Sequence, residues 1–275
     1  MLLGQPAAAF TLYATTSPDV PTGAPTLIAV TPESGAHTVV GASGLAGNVH
    51  AMDFNPADGL LYGTDQFSAP GTILRIDPAT GTGTAIVTVR NAAAAPVFLG
   101  GLAFAPDGTA IGATTTSIGT LDLHSGTFQP MIQVKAGHLF TSIDIAADGR
   151  LLAVLSPFSG GQRFATIDLQ SGATLGEFAL GAFNVDDIDA APDGFVYHTN
   201  FSAALFRIDP ILGTQTLVGF GQAGPISGLA SAAPVPLPPA AALLPGAIAM
   251  LAIRRRRQAP PDPKARRIRF ARFRS

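Results

Sequence analysis

Apolar residues along this chain come in short runs, broken at close intervals by Gly, Pro, Asp, Asn and Ser. Leu60–Asp65, Thr72–Asp77 and Thr84–Val89 are representative: each is six residues long, and the first two end at an aspartate. Runs of that length, bounded by such residues, predict strands rather than helices. Between many of them stands Asp-Gly, at Asp58-Gly59, Asp107-Gly108, Asp148-Gly149 and Asp193-Gly194. Glycine takes positive φ without a Cβ clash, and aspartate bonds its own backbone two residues on, so the pair predicts hairpins. No stretch before the C-terminus carries helical apolar periodicity.

The pattern repeats. A strand ending in a tight turn runs Ile76-Asp77-Pro78-Ala79-Thr80-Gly81, and it recurs as Leu121–Gly126, Ile167–Gly172 and Ile208–Gly213. Val30-Thr31-Pro32-Glu33-Ser34-Gly35 is a looser first copy. The closing glycines are 46, 45, 46 and 41 residues apart. Each repeat holds one turn of this kind and one Asp-Gly turn, hence two hairpins and four strands. In the best-defined unit these are Val49–Asn55, Leu60–Asp65, Thr72–Asp77 and Thr84–Val89. Four strands in a repeat near 45 residues predict the blade of a β-propeller.

The chain begins in mid-blade. Phe10–Thr15 matches the second strand of a unit, and Ser227–Pro234 matches the missing first strand, as seen beside Gly100-Gly101-Leu102-Ala103-Phe104-Ala105-Pro106. The expectation is therefore an all-β, five-bladed propeller over residues 10–234, closed by pairing of its N- and C-terminal strands; an open ring is the alternative. The repeats resemble bacterial propeller units of the NHL and SMP-30-like kind. That resemblance speaks to architecture, since propellers host unrelated activities.

Charge sharpens the division of the chain. Ten of its 16 basic residues follow residue 253, where Asp262 is the one acid. Residues 1–253 thus hold 6 basic and 17 acidic residues, a net of −11. An acidic body argues against nucleic acid as a partner. With no cysteine in the chain, disulfides, thiol catalysis and Cys-based zinc sites are excluded.

Composition changes again after Ala233. Val235-Pro236-Leu237-Pro238-Pro239 leads into an uncharged run to Ile253, and Arg254, Arg255, Arg256 and Arg257 follow at once. Leu237–Ile253 is 17 residues, near the lower length for crossing a bilayer core of about 30 Å. The arginines would hold its end on the cytoplasmic side; a helix packed on the propeller is the other reading. Proline motif, apolar helix and arginine cluster together resemble the PEP-CTERM sorting signal in its Val-Pro-Leu-Pro form, with Leu237 in place of the usual Glu. The resemblance implies export, a membrane helix over 235–257 and an exosortase-type processing enzyme as partner. The departures from the pattern are Pro245 inside the helix and a basic, disordered tail over 258–275. Residues 1–9 are read as the remnant of a signal peptide, or as disordered.

Candidate chemistry centres on three aspartates. Asp53, Asp144 and Asp189 occupy equivalent places in the innermost strand, where the third unit has Ala103; Asp186 and Asp187 lie nearby. Oxygen-only ligands in a central channel would suit Ca²⁺ or Mg²⁺. The competing reading has each carboxylate accept backbone hydrogen bonds between blades. His50 or His198, with Asp53 or Asp187, could form an acid–base pair. The other histidines are scattered, without zinc spacing. The expected protein is thus an exported, membrane-anchored or surface-released monomer. It would be a non-catalytic binding or matrix module without a cofactor, with extracellular polysaccharide as its partner. The alternatives are a divalent-metal-dependent propeller hydrolase or lactonase, and a purely structural spacer.

Overall fold

A computed structural model describes residues 10–16, 25–42, 44, 49–65, 71–181, 184–200, 202–221 and 225–232. The anchoring segment expected over 235–257, with Val235, Pro236, Leu237, Pro238 and the arginines 254–257, lies outside the described residues, as do residues 1–9 and the tail. No helix of the described residues is long and apolar enough to cross a membrane.

The described chain folds as five four-stranded antiparallel sheets. The first blade holds β1 (Thr11–Thr16), β2 (Thr26–Val30) and β3 (His37–Ala42). The second is β4 (Val49–Phe54), β5 (Leu61–Asp65), β6 (Thr72–Ile76) and β7 (Gly83–Thr88). The third is β8 (Gly101–Phe104), β9 (Ala110–Ala113), β10 (Ser117–Leu121) and β11 (Phe128–Gln133). The fourth is β12 (His138–Ile145), β13 (Leu151–Pro157), β14 (Arg163–Ile167) and β15 (Thr174–Ala179). The fifth is β16 (Val185–Ala190), β17 (Val196–Asn200), β18 (Ala204–Asp209) and β19 (Thr214–Phe220). The last strand, β20 (Ile226–Ala232), returns to the first blade and pairs antiparallel with β1, Leu12 facing Ser231 and Tyr13 facing Ala230. The ring is closed as the repeats predicted, by the two ends of the chain.

Turn chemistry explains why each unit folds alike. The Gly81 N–H donates to the Asp77 carbonyl at 2.7 Å, while the Asp77 carboxylate accepts from the Ala79 N–H at 2.9 Å. Gly81 sits at φ 78°, a conformation that a side chain would strain. The same glycine-to-carbonyl bond recurs at Gly35, Gly126, Gly172 and Gly213. In the other hairpin, Asp58, Asp107, Asp148 and Asp193 each accept from the amide two residues on. The Ala79 and Thr109 amides hold the carboxyls of Asp77 and Asp107 below their usual value, and the Ser125 and Ser171 hydroxyls do the same, ahead of the backbone, for Asp122 and Asp168.

The core is divided among the seams between blades. Ile73, Leu102 and Phe104 fill the seam of the second and third, Ile118, Ile143 and Leu155 that of the third and fourth, and Leu152, Phe164 and Ile188 that of the fourth and fifth. Leu12, Tyr197 and Leu229 fill the seam of the fifth and first, and Leu27, Met52 and Leu74 that of the first and second. Burial of each such side chain contributes roughly 1.5–3 kcal/mol, and a blade gains it only by packing on its neighbours.

Outer strands add a second contact around the ring. Each leans on the turn glycine of the next blade. A Cβ at Gly41 in β3 would stand 2.0 Å from the Thr80 carbonyl oxygen, and one at Gly219 in β19 would stand 2.0 Å from that of Ser34. Gly126 approaches the Thr88 carbonyl of the preceding blade in the same way, while Gly172 and Gly213 pack more loosely, against the Ile132 and Phe178 side chains.

Candidate functional site

β4, β8, β12, β16 and β20 are the innermost strands and touch one another around the axis. The three aspartates singled out from the sequence lie there, in β4, β12 and β16, and each reaches to the following blade. Asp53 Oδ2 accepts from the Phe104 N–H at 2.7 Å, and Asp189 Oδ1 accepts from the Ser231 N–H at 2.6 Å. Asp144 Oδ2 accepts from the Ala190 N–H. The amide taken is always the one just past the equivalent inner position, namely Ala103, Ala230 and Asp189.

The two blades with alanine at that position have no carboxylate to offer onward. There the next aspartate serves its own chain as well: Asp144 Oδ1 accepts from the Ile145 N–H at 2.7 Å, and Asp53 is hydrogen-bonded to the Phe54 amide. Asp189 is placed differently. Its following amide, Ala190, is already taken by Asp144, and Asp189 Oδ2 is buried without a partner.

Asp187 is a fourth inner carboxylate, fully buried, and it ties four blades together. Its Oδ2 accepts from the N–H groups of Met52 at 3.1 Å and Leu229 at 2.8 Å, and its Oδ1 from the Ser142 hydroxyl at 2.7 Å. Ser142 Oγ in turn accepts from the Ile188 N–H at 3.1 Å. Burial pushes the Asp187 carboxyl up to about 8, against the opposing pull of these donors. Burial also pushes Asp189 up to about 6. Asp53 and Asp144 are raised well above the carboxylate range by burial and then by neighbouring carboxylates.

The histidines separate. His50 Nε2 stands 3.1 Å from Asp186 Oδ1, so the pairing joins the second and fifth blades and involves neither Asp53 nor Asp187 directly. Burial acts to lower the His50 pKa, but the Asp186 hydrogen bond and the charges of Asp186 and Asp187 outweigh it, and the net shift is upward. The Gly100 backbone adds to the upward shift, and Asp186 Oδ2 is buried without a hydrogen-bond partner. His198 lies on β17, one strand out from the axis. It stacks on Phe206 at 4.8 Å and meets Gln215 Nε2 at 2.6 Å, and burial lowers it to about 4. Since Gln215 Oε1 is occupied by the Gly181 N–H, the Gln215 amino group donates to a neutral imidazole.

What the centre can do follows from these bonds. Of the oxygens that a Ca²⁺ or Mg²⁺ ion would require, Asp53 Oδ2, both Asp144 oxygens and Asp189 Oδ1 are engaged by backbone N–H groups, and Asp189 Oδ2 is not. Among the described residues no group of three His, Cys, Asp or Glu side chains is arranged to hold a metal ion. The reach of Asp187 into four blades and the His50–Asp186 pair were not read from the sequence. Their signal is the run Asp186-Asp187-x-Asp189 in an otherwise apolar inner strand.

No protein-family model matches the chain, and no curated protein matches it in sequence. Among solved structures, hydrazine synthase from Kuenenia stuttgartiensis is 16% identical, with a TM-score of 0.43 over 62% of this chain and 49% of that one. The chain thus spans about half the length of that protein. Glutaminyl cyclase from Myxococcus xanthus is 16% identical, with a TM-score of 0.45 over 63% and 69% of the two chains. TolB from Acinetobacter baumannii is 15% identical, with a TM-score of 0.54 over 82% of this chain and 67% of its own. At that identity the likeness to TolB is one of fold, that of a β-propeller.

Proposed function

We propose that this chain is an exported, non-catalytic β-propeller. It is held at the outer side of the cytoplasmic membrane by residues 235–257, or released after exosortase-type processing, and it serves as a binding or matrix module for extracellular polysaccharide. The observation that carries the non-catalytic part is the engagement of the inner carboxylates by amides of neighbouring blades. Groups so used contribute to cohesion of the ring and are not presented to a substrate. Support for the anchor comes from the sequence: an uncharged run of 17 residues, Leu237–Ile253, followed by four arginines. The polysaccharide partner rests on the PEP-CTERM resemblance.

A propeller hydrolase working with Ca²⁺ or Mg²⁺ is the second reading. Its support is the buried Asp189 Oδ2, which has no protein partner. Fractionation of cells expressing the gene with its upstream sequence tests the leading reading. The expected result is protein in the membrane or surface fraction. Soluble protein in the cytoplasm would overturn it.

A further inference from the structure

Charge is distributed unevenly between the two ends of the propeller. Both sets of aspartate turns, four residues each, open on one end of the ring. Three of the body's six cations lie among them: Arg150 is bound to Asp148 at 2.6 Å, Arg75 acts on Tyr62 beside Asp58, and Arg207 on Tyr197 beside Asp193. An anionic chain approaching that end meets a field of like charge.

The opposite end differs at the rim of the fourth blade. Lys135, in the link from β11 to β12, and Arg163, at the start of β14, share one carboxylate, that of Glu177. Lys135 Nζ lies 2.6 Å from Glu177 Oε2, and Arg163 binds Oε1 through Nε. Two cations to one carboxylate leave a net positive charge. Donors remain as well: an ammonium has three N–H groups, and a guanidinium bound through Nε keeps its terminal amino groups. The Lys135 side chain is 43% exposed. Beside it stands Phe158, 74% exposed, in the hairpin that leads from β13 to Arg163. Its N–H donates to the Gly137 carbonyl at 2.9 Å, which fixes it next to the Lys135 link. The Phe158 ring offers a flat apolar face beside the two cations.

The geometry points to this rim, Lys135, Arg163 and Phe158, as the binding site for a carboxylate-bearing polysaccharide. Uronate carboxylates meet the two cations, and a sugar ring lies on the Phe158 face. The assignment rests on the polysaccharide reading above and names the class, anionic rather than neutral.

Affinity electrophoresis of the full chain in nonionic detergent, through gels holding polygalacturonate or dextran, tests it. The variants are the double substitution Lys135→Gln/Phe158→Ala and, as a control at the other end, Arg150→Gln, each checked for an unchanged Tm. The basic tail is common to all of them, so differences between variants report the rim alone. The wild type should be retarded by polygalacturonate and not by dextran, less so as salt rises. The double variant should bind about fivefold more weakly, from the loss of an exposed ion pair and a ring contact, and Arg150→Gln should bind as the wild type. A folded double variant that binds polygalacturonate like the wild type removes the rim assignment while leaving the polysaccharide reading in place. A wild type retarded by neither polymer, or equally by both, overturns the assignment; retardation by neither overturns the polysaccharide reading with it.

Discussion

The Phe104 N–H donates to Asp53 Oδ2 at 2.7 Å, across the seam between the second and third blades. The two residues are 51 positions apart, and each lies on an innermost strand. The bond states in one contact what the inner carboxylates do: each supplies an acceptor for an amide that the next blade's own sheet does not pair.

Removing such an acceptor leaves a buried donor unsatisfied. Asp53→Ala and Asp144→Ala should each destabilise the fold by about 1–3 kcal/mol per orphaned amide. Asp144→Ala should cost more than Asp189→Ala, because Asp144 serves both Ala190 and Ile145. Urea unfolding gives the ranking, and equal losses at the two sites would contradict it.

Outer-strand glycines make a separate prediction. Gly219→Ala would place a Cβ 2.0 Å from the Ser34 carbonyl, backbone that cannot yield cheaply. It should loosen the seam of the fifth and first blades and cost about 1–3 kcal/mol. Gly176→Ala, where a Cβ meets nothing within 4 Å, should be tolerated. A Tm for Gly219→Ala at or above that of Gly176→Ala would show the close approach to be unimportant.

Stability should depend on pH in an unusual direction. Asp187 ionises near 3.8 when exposed and at about 8 when folded. Between those values the unfolded chain loses a proton that the folded chain keeps. This contribution is therefore full below about pH 4 and is lost as pH rises through 8. His198, lowered from 6.5 to about 4, works oppositely: its contribution is present above 6.5 and lost as pH falls through 4. Asp187→Asn should flatten the alkaline limb of a Tm-against-pH profile and leave the acid limb. An unchanged alkaline limb would place that titration elsewhere.

Closure by β20 yields the fourth prediction. Its Leu229 and Ser231 amides are taken by Asp187 and Asp189, while its other edge pairs with β1. A chain ended at Gly221 lacks this strand and leaves the Leu12 and Ile28 cluster open to water. Cooperative unfolding should be lost in calorimetry; a sharp transition at the wild-type temperature would argue that four blades and a fragment suffice.

Much of this architecture was legible beforehand, because turn chemistry is local. Asp77 bonds Ala79 and Gly81 bonds Asp77 whatever the rest of the chain does, so the blades could be counted and the end strands matched. The equivalence of Asp53, Asp144 and Asp189 was also visible, and so was bonding between blades as one of their two roles. Other contacts were hidden because they join residues whose nearness is set by the closed ring. His50 and Asp186 meet across the axis from the second and fifth blades. Gly219 gives no local sign that Ser34 lies against it, since that approach arises where the last blade meets the first.

The central claim is that the inner carboxylates bind blades to one another and not a cation. Metal analysis of the purified full chain, paired with its Tm in EDTA and in excess Ca²⁺ or Mg²⁺, tests it most directly. The account predicts no stoichiometric divalent metal and the same Tm in all three conditions. One retained ion per chain, with a Tm rise in Ca²⁺ or Mg²⁺ that Asp144→Asn abolishes, would contradict it.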